Sequence, residues 1–138
     1  MKVVIDTNVF VACYSINSPY HSIFRNLALG KYDLLVSSGI LLEYEEILRK
    51  KYPQSLVDVF KDILEISENV ILKEPYILWN LINNDSDDNK FVDCAINAGA
   101  DYIVTQDKHF NILKNIDFPP TNVIGIDDFL EIVKNLKK

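Results

Sequence analysis

Short apolar runs rich in Val, Ile and Leu recur along this chain, and nearly every one is followed by a stretch with helical periodicity. That alternation constrains the fold more than any other feature. The first run, residues 2–6, reads Lys-Val-Val-Ile-Asp and breaks at once into polar Thr7 and Asn8. A run that is apolar at consecutive positions buries both faces of a strand, as in a parallel sheet covered by helices on each side. Further strands are expected at residues 33–36, 70–72, 102–105 and 123–126. Helices are expected at 8–14 and 20–29, the second with Pro19 in its opening turn and Gly30 at its end. Another starts at Ser37 or Ser38 and carries Ile40, Leu41, Tyr44, Ile47 and Leu48 as its apolar stripe. The next opens at Pro53 and carries Leu56, Val57, Phe60, Ile63 and Leu64. A weaker helical stretch is expected over 76–82, then a polar loop over 83–88. Phe91, Val92, Ala95 and Ile96 mark the helix after it, closed by Gly99, and Asp127 or Asp128 caps a last one. The pattern predicts an α/β fold: a three-layer α/β/α sandwich around a mostly parallel sheet of about five strands, with residues 1–138 as a single domain.

Composition limits the function. At 49% hydrophobic and 25% charged, the 138 residues have the profile of a globular protein in water. No apolar run approaches the ~20 residues of a membrane span, so no membrane partner is expected. The start lacks the apolar core of a signal peptide, and Cys13 and Cys94 sit in apolar segments without metal-ligand spacing. A cytoplasmic protein without disulfides is the expectation. The net charge of −6 weighs against a nucleic-acid binder, since phosphate contact calls for Lys and Arg. Carboxylates that converge on divalent cations would reverse the local field and remove the objection.

Carboxylates in suitable places are present. Sites in open parallel sheets lie beyond the carboxyl ends of the strands. Asp6 ends the first strand and Asp107 follows the fourth by two residues. Taken alone, an Asp after a strand is a common turn former. Glu43 falls at the border of its helix's apolar stripe, whereas Glu46 points away. The acidic segment offers Asp85, Asp87, Asp88 and Asp93. Projected back from Phe91, Val92, Ala95 and Ile96, Asp88 lies near the centre of the apolar face, and Asp93 lies well off it, facing solvent. Asp88 is therefore the third candidate, with Asp93 in reserve because the helix start is open by a residue or two. Inward carboxylates on separate elements repel one another unless a cation joins them. With oxygen donors and no Cys or His at ligand spacing, the expected cation is Mg²⁺ or Mn²⁺. The matching chemistry is phosphodiester hydrolysis, in which one or two cations activate water and stabilise the attacking and leaving oxygens. His21 and His109 read as surface or capping residues. Lys90 and Lys108 lie where they could meet phosphate, while Arg49, Lys50 and Lys51, like Lys137 and Lys138, complement a helix dipole.

Three segments carry a family resemblance. VVIDTNVF resembles the opening of PIN-domain proteins, SSGILLEYEEIL their second motif, and DDNKFVDCAINAGADYIVTQD their third and fourth motifs run together. The order and spacing resemble the subfamily of toxin components of toxin–antitoxin pairs. The resemblance implies a PIN fold and metal-dependent cleavage of single-stranded or structured RNA. It implies Asp6, Glu43, Asp88 and Asp107 as the acidic quartet, supported by Asn8 and Thr105, with Asp93 an alternative third ligand. It further implies an antitoxin protein as partner and a homodimer, for which Tyr20, Phe24, Tyr76 and Trp79 are candidate anchors.

Three rivals differ in testable ways. A haloacid-dehalogenase-type phosphatase wants a second Asp two residues after the first, and position 8 is Asn. A receiver domain wants its phosphoacceptor Asp at the end of the third strand, which here reads Val-Ile-Leu-Lys. A catalytically silent PIN-like module would bind RNA or a protein and show no cation-dependent cleavage.

Overall fold

The computed structural model describes residues 1–82, 86–116, 119 and 121–136 and, of residues 86 and 87, the backbone alone. Strand β1 (Lys2–Ile5) lies at the centre, and Val3, Val4 and Ile5 have no exposure at all, as the unbroken apolar run requires. It pairs in parallel with β2 (Asp33–Val36) on one side and β4 (Tyr102–Val104) on the other. The edges are β3 (Val70–Leu72) and β5 (Val123–Ile124), giving the order β3-β2-β1-β4-β5 with every pairing parallel.

Helices α1 (Thr7–Tyr14) and α2 (His21–Ala28) connect β1 to β2, and α3 (Ser38–Lys51) and α4 (Gln54–Ile66) connect β2 to β3. Helix α5 (Ser86–Ala98) precedes β4, a 3₁₀ helix (Lys108–Asn115) precedes β5, and α6 (Ile126–Lys134) ends the chain's described elements. The chain steps one way from β1 to β3, then crosses back to β4 and continues to β5. Right-handed crossovers therefore put α1 to α4 on one face, and α5 with the 3₁₀ helix on the other. Accordingly α1 packs on α2 and α3, while α5 lies across β1, β2 and β4. The expected three-layer sandwich is what forms.

Under α1 to α4 the core is aromatic. Phe10 meets Tyr44 with ring centres 4.7 Å apart and Phe60 at 5.2 Å, and Phe24 stacks on Phe60 at 6.0 Å. Phe24 is buried there and is no interface anchor, correcting that expectation. Tyr20 is tied to the fold through its hydroxyl, which donates to Asp127 at 2.9 Å. Cys13 and Cys94 are buried free thiols. No described helix is long and apolar enough to cross a membrane.

The structure also corrects several boundaries. Pro19 precedes α2 instead of entering its first turn, and Gly30 ends that region in a left-handed turn at φ 75°. Residues 76–82 form no helix. Their backbone bonds to side chains of α5 instead: Asn97 accepts from Tyr76 N–H, Asp93 from Trp79 N–H, and Asn89 pairs both polar groups of Ile82. Helix α5 starts at Ser86, so 86–88 are helical and not loop; Asp85 and the side chain of Asp87 lie outside the described residues, as do Lys137 and Lys138. Strand β4 stops before Thr105, and β5 stops at Ile124 because Gly125 already caps α6. Asp127 and Asp128 occupy the first turn of α6, where they favour the dipole without capping it. The 3₁₀ helix carries no expectation from the sequence.

Candidate metal centre

Strands β1 and β4 are neighbours, and the chain leaves them towards opposite faces, α1 following one and the 3₁₀ helix the other. Their carboxyl ends therefore open a crevice at the topological switch point. Asp6 stands at its edge. Its N–H extends the ladder to Val104 O at 2.9 Å, and its side chain makes no cap to α1. The carboxylate instead accepts a hydrogen bond from Thr105 Oγ1 at 2.8 Å, and that hydroxyl accepts from Asp107 N–H at 3.0 Å. The buried Thr105 thus ties the two strand-end acids together. Asp107 also fills the ordinary role of its residue type, accepting from His109 N–H at 2.9 Å to cap the 3₁₀ helix.

Asp88, third residue of α5, approaches from the same side of the sheet and is buried. Its Oδ2 lies 3.1 Å from His109 Nδ1, which is 3.4 Å from Asp107 Oδ1. Asp88, Asp107 and His109 offer three ligand atoms all within 4.8 Å of one another, a group able to hold a metal ion.

Helix α3 brings Glu43 near enough to Asp6 for its charge to act there. Ser37 caps that helix through Ile40 N–H at 3.3 Å, and Glu74 accepts from both the N–H and the hydroxyl of Ser38, at 2.7 and 2.6 Å. The next residue, Tyr44, is buried and donates its hydroxyl to the carbonyl of Ile5, fixing α3 against the end of β1. The Glu43 carboxylate accepts from the Thr7 hydroxyl and, at 2.7 Å, from the Lys90 ammonium. It is thus oriented and neutralised beside the tighter group of three. Burial pushes the Asp6 carboxyl above its usual range, and the charges of Asp107 and Glu43 push it further, against the Thr105 and Thr7 hydrogen bonds.

Of the acids expected from the sequence, Asp88 and Asp107 share the metal-capable group, Asp6 is linked to Asp107 through Thr105, and Glu43 bonds Thr7 and Lys90 outside that group. Asp93 is buried, not solvent-facing. Residues 76–82 cover the side of α5 that helical periodicity alone leaves open, and Asp93 Oδ1 accepts from Trp79 N–H at 2.8 Å. Burial raises the Asp93 carboxyl while that hydrogen bond lowers it. Asn8 is exposed on α1, and the contact to Glu43 comes from Thr7 instead. Lys90 contacts Glu43, and Lys108 is exposed. His109, read from sequence as a surface or capping residue, joins the group of three. The signal for it is its offset of two from Asp107, because an Asp that caps the N–H two residues on turns that residue back towards itself.

Residues 2–109 match the PIN domain family, a span that takes in every one of these side chains. The chain belongs to the PIN-domain family. A chain in the crystal structure of VapBC2 from Rickettsia felis, bound to a DNA fragment from their promoter, has the same fold with a TM-score of 0.62. The two are 18% identical, over 91% of this chain and 98% of that one. No curated protein is significantly similar to this PIN protein in sequence. Membership sets aside the phosphatase and receiver readings. A PIN domain carries the expectation of a divalent cation, and the donors fit it: two carboxylates on separate elements, an imidazole nitrogen, and no thiolate in the group.

Proposed function

We propose that this PIN domain, taken as the whole of residues 1–138, is a divalent-cation-dependent endoribonuclease that hydrolyses RNA phosphodiester bonds. Asp6, Glu43, Asp88 and Asp107 form its acidic quartet, with Thr7, Thr105 and Lys90 orienting them. One observation carries the reading: Asp6, Asp88 and Asp107 come from three separate elements to the crevice at the ends of β1 and β4. A buried acid made more basic by its acidic neighbours is costly by itself, and a cation offsets that cost. Mg²⁺ or Mn²⁺ suits the oxygen donors; when bound, such an ion activates water and stabilises charge on the attacking and leaving oxygens. Asp88 and Asp107 would hold it, with Asp6 aimed by Thr105. Glu43 is poised by Thr7 and Lys90 to complete the set. Water adds at phosphorus, the bond to the leaving oxygen breaks, and the RNA is left with a phosphate end and a hydroxyl end.

The biological role that fits is the toxin of a toxin–antitoxin pair, acting in the cytoplasm on single-stranded or structured RNA and held by an antitoxin protein. The motif order supports it, as does the fold shared with a chain of VapBC2. Pairing of two copies is part of this reading, with exposed Tyr76, Ile77 and Leu78 as the apolar surface for it.

The test is cleavage of single-stranded RNA by the purified protein with Mn²⁺, with Mg²⁺ and with chelator. Activity that needs the cation and falls by orders of magnitude in Asp107→Asn supports the reading. A folded protein that binds RNA and never cuts it would instead be a silent PIN module.

A further inference from the structure

We propose that His109 is itself a ligand of the bound cation, and that its nitrogen tilts the centre from Mg²⁺ towards first-row transition ions such as Mn²⁺ and Co²⁺. This rests on the cation-dependent reading above and sharpens it, because an all-oxygen site has no such preference built in.

The argument is geometric. His109 Nδ1 lies 3.1 Å from Asp88 Oδ2 and 3.4 Å from Asp107 Oδ1, the two carboxylates best placed to hold an ion. Neighbouring donors around an octahedral cation with bonds of about 2.1 Å stand roughly 3 Å apart, so the imidazole nitrogen has the spacing of one coordination shell from each carboxylate, and the three residues' ligand atoms lie within 4.8 Å of one another. The arrangement is built, because Asp107 caps the turn in which His109 sits, and its carboxylate, accepting from the His109 backbone N–H at 2.9 Å, holds the imidazole on this side. The chemistry follows from donor type. Mg²⁺ favours oxygen and gives up water reluctantly, whereas affinity for imidazole nitrogen rises along the first transition row from Mn²⁺. One nitrogen among carboxylates therefore gains more for Mn²⁺ or Co²⁺ than for Mg²⁺.

The alternative is that the imidazole only hydrogen-bonds the two carboxylates. Calorimetric titration of the full chain with MnCl₂, CoCl₂ and MgCl₂, without RNA, separates the two. His109→Ala should weaken Mn²⁺ and Co²⁺ by about tenfold or more and Mg²⁺ much less. His109→Asp should retain Mg²⁺ and lose the preference. Pulsed electron paramagnetic resonance of the Mn²⁺-loaded protein in nitrogen-free buffer should show nitrogen coupling in the wild type and none in His109→Asp. The His109 side chain is 63% exposed, so circular dichroism should find both variants folded. Mn²⁺ bound without nitrogen coupling, or equal losses for all three ions, would overturn the role of His109 and leave the nuclease reading standing. A wild type that binds none of the ions overturns both.

Discussion

Asp6 follows three fully buried residues of the central strand, and its carboxylate is oriented by a threonine that is itself buried. Burial raises that carboxyl above its ordinary 3.8, and Asp107 and Glu43 add to the shift. In the metal-free protein, folded Asp6 therefore keeps a proton at pH values where the unfolded chain has released it. Stability falls as pH rises from 3.8 through the raised value, and above that window the charged form carries its full cost. Asp6→Asn keeps an oxygen for the Thr105 hydroxyl and removes the charge. We expect the metal-free variant to melt several degrees above the wild type at pH 7, with the gap closing towards pH 4. Millimolar Mn²⁺ should raise the wild-type melting temperature, and that of the variant by less, since Asp88 and Asp107 remain in place. A variant that melts lower at pH 7 would show that the carboxylate is not under electrostatic load. Asp6 and Asp107 were legible in the sequence because a strand end fixes where an acid stands, whatever its side chain does next. His109 was not, because its role depends on a turn that brings positions two apart together, and apolar periodicity carries no trace of that turn.

Helix α5 shows how an element can mislead when its surroundings are unknown. Asn89, Asp93 and Asn97 recur every four residues and line one side of it, where each meets backbone of residues 76–82. Read as a free helix, that strip points to water; in the fold it replaces the hydrogen bonds that 76–82 would have made as a helix. On the proposed reading Asp93 serves the fold, through Trp79 N–H, and Asp88, five residues earlier, serves the site. The two predict opposite phenotypes. Asp93→Ala removes the carboxylate that accepts from Trp79 N–H and should lower stability by about 1–3 kcal/mol, with metal affinity largely kept. Asp88→Asn should melt within about 1 kcal/mol of the wild type and lose cation-dependent cleavage by orders of magnitude. Denaturant unfolding and an RNA cleavage assay on both variants check this, and a reversal of the two outcomes would move the third acid to position 93. The remaining helices were legible where capping and stripe agreed, as for α3 with Ser37 and its buried Ile40, Tyr44 and Leu48.

At the level of the whole molecule, the order β3-β2-β1-β4-β5 reverses between β1 and β4, and every acid of the quartet lies around the crevice that this reversal creates. Alternating strands and helices predicted the parallel three-layer sheet, but strand order is set by long-range pairing that no local pattern encodes. The net charge of −6 is then intelligible as a property of the metal-free chain: cations at the crevice would turn the local field towards phosphate. The exposed run Tyr76, Ile77 and Leu78 predicts self-association. Sedimentation at micromolar concentration should show a dimer, and Ile77→Lys should shift it towards the 15.9 kDa monomer; a wild type that is monomeric throughout would remove the pairing. The central claim, that these acids hold a cation, is tested most directly by anomalous X-ray diffraction from crystals grown with Mn²⁺. A manganese peak is expected within bonding distance of the Asp88 and Asp107 carboxylates, beside Asp6 and His109. A well-ordered crystal in Mn²⁺ with no peak in that crevice would contradict it.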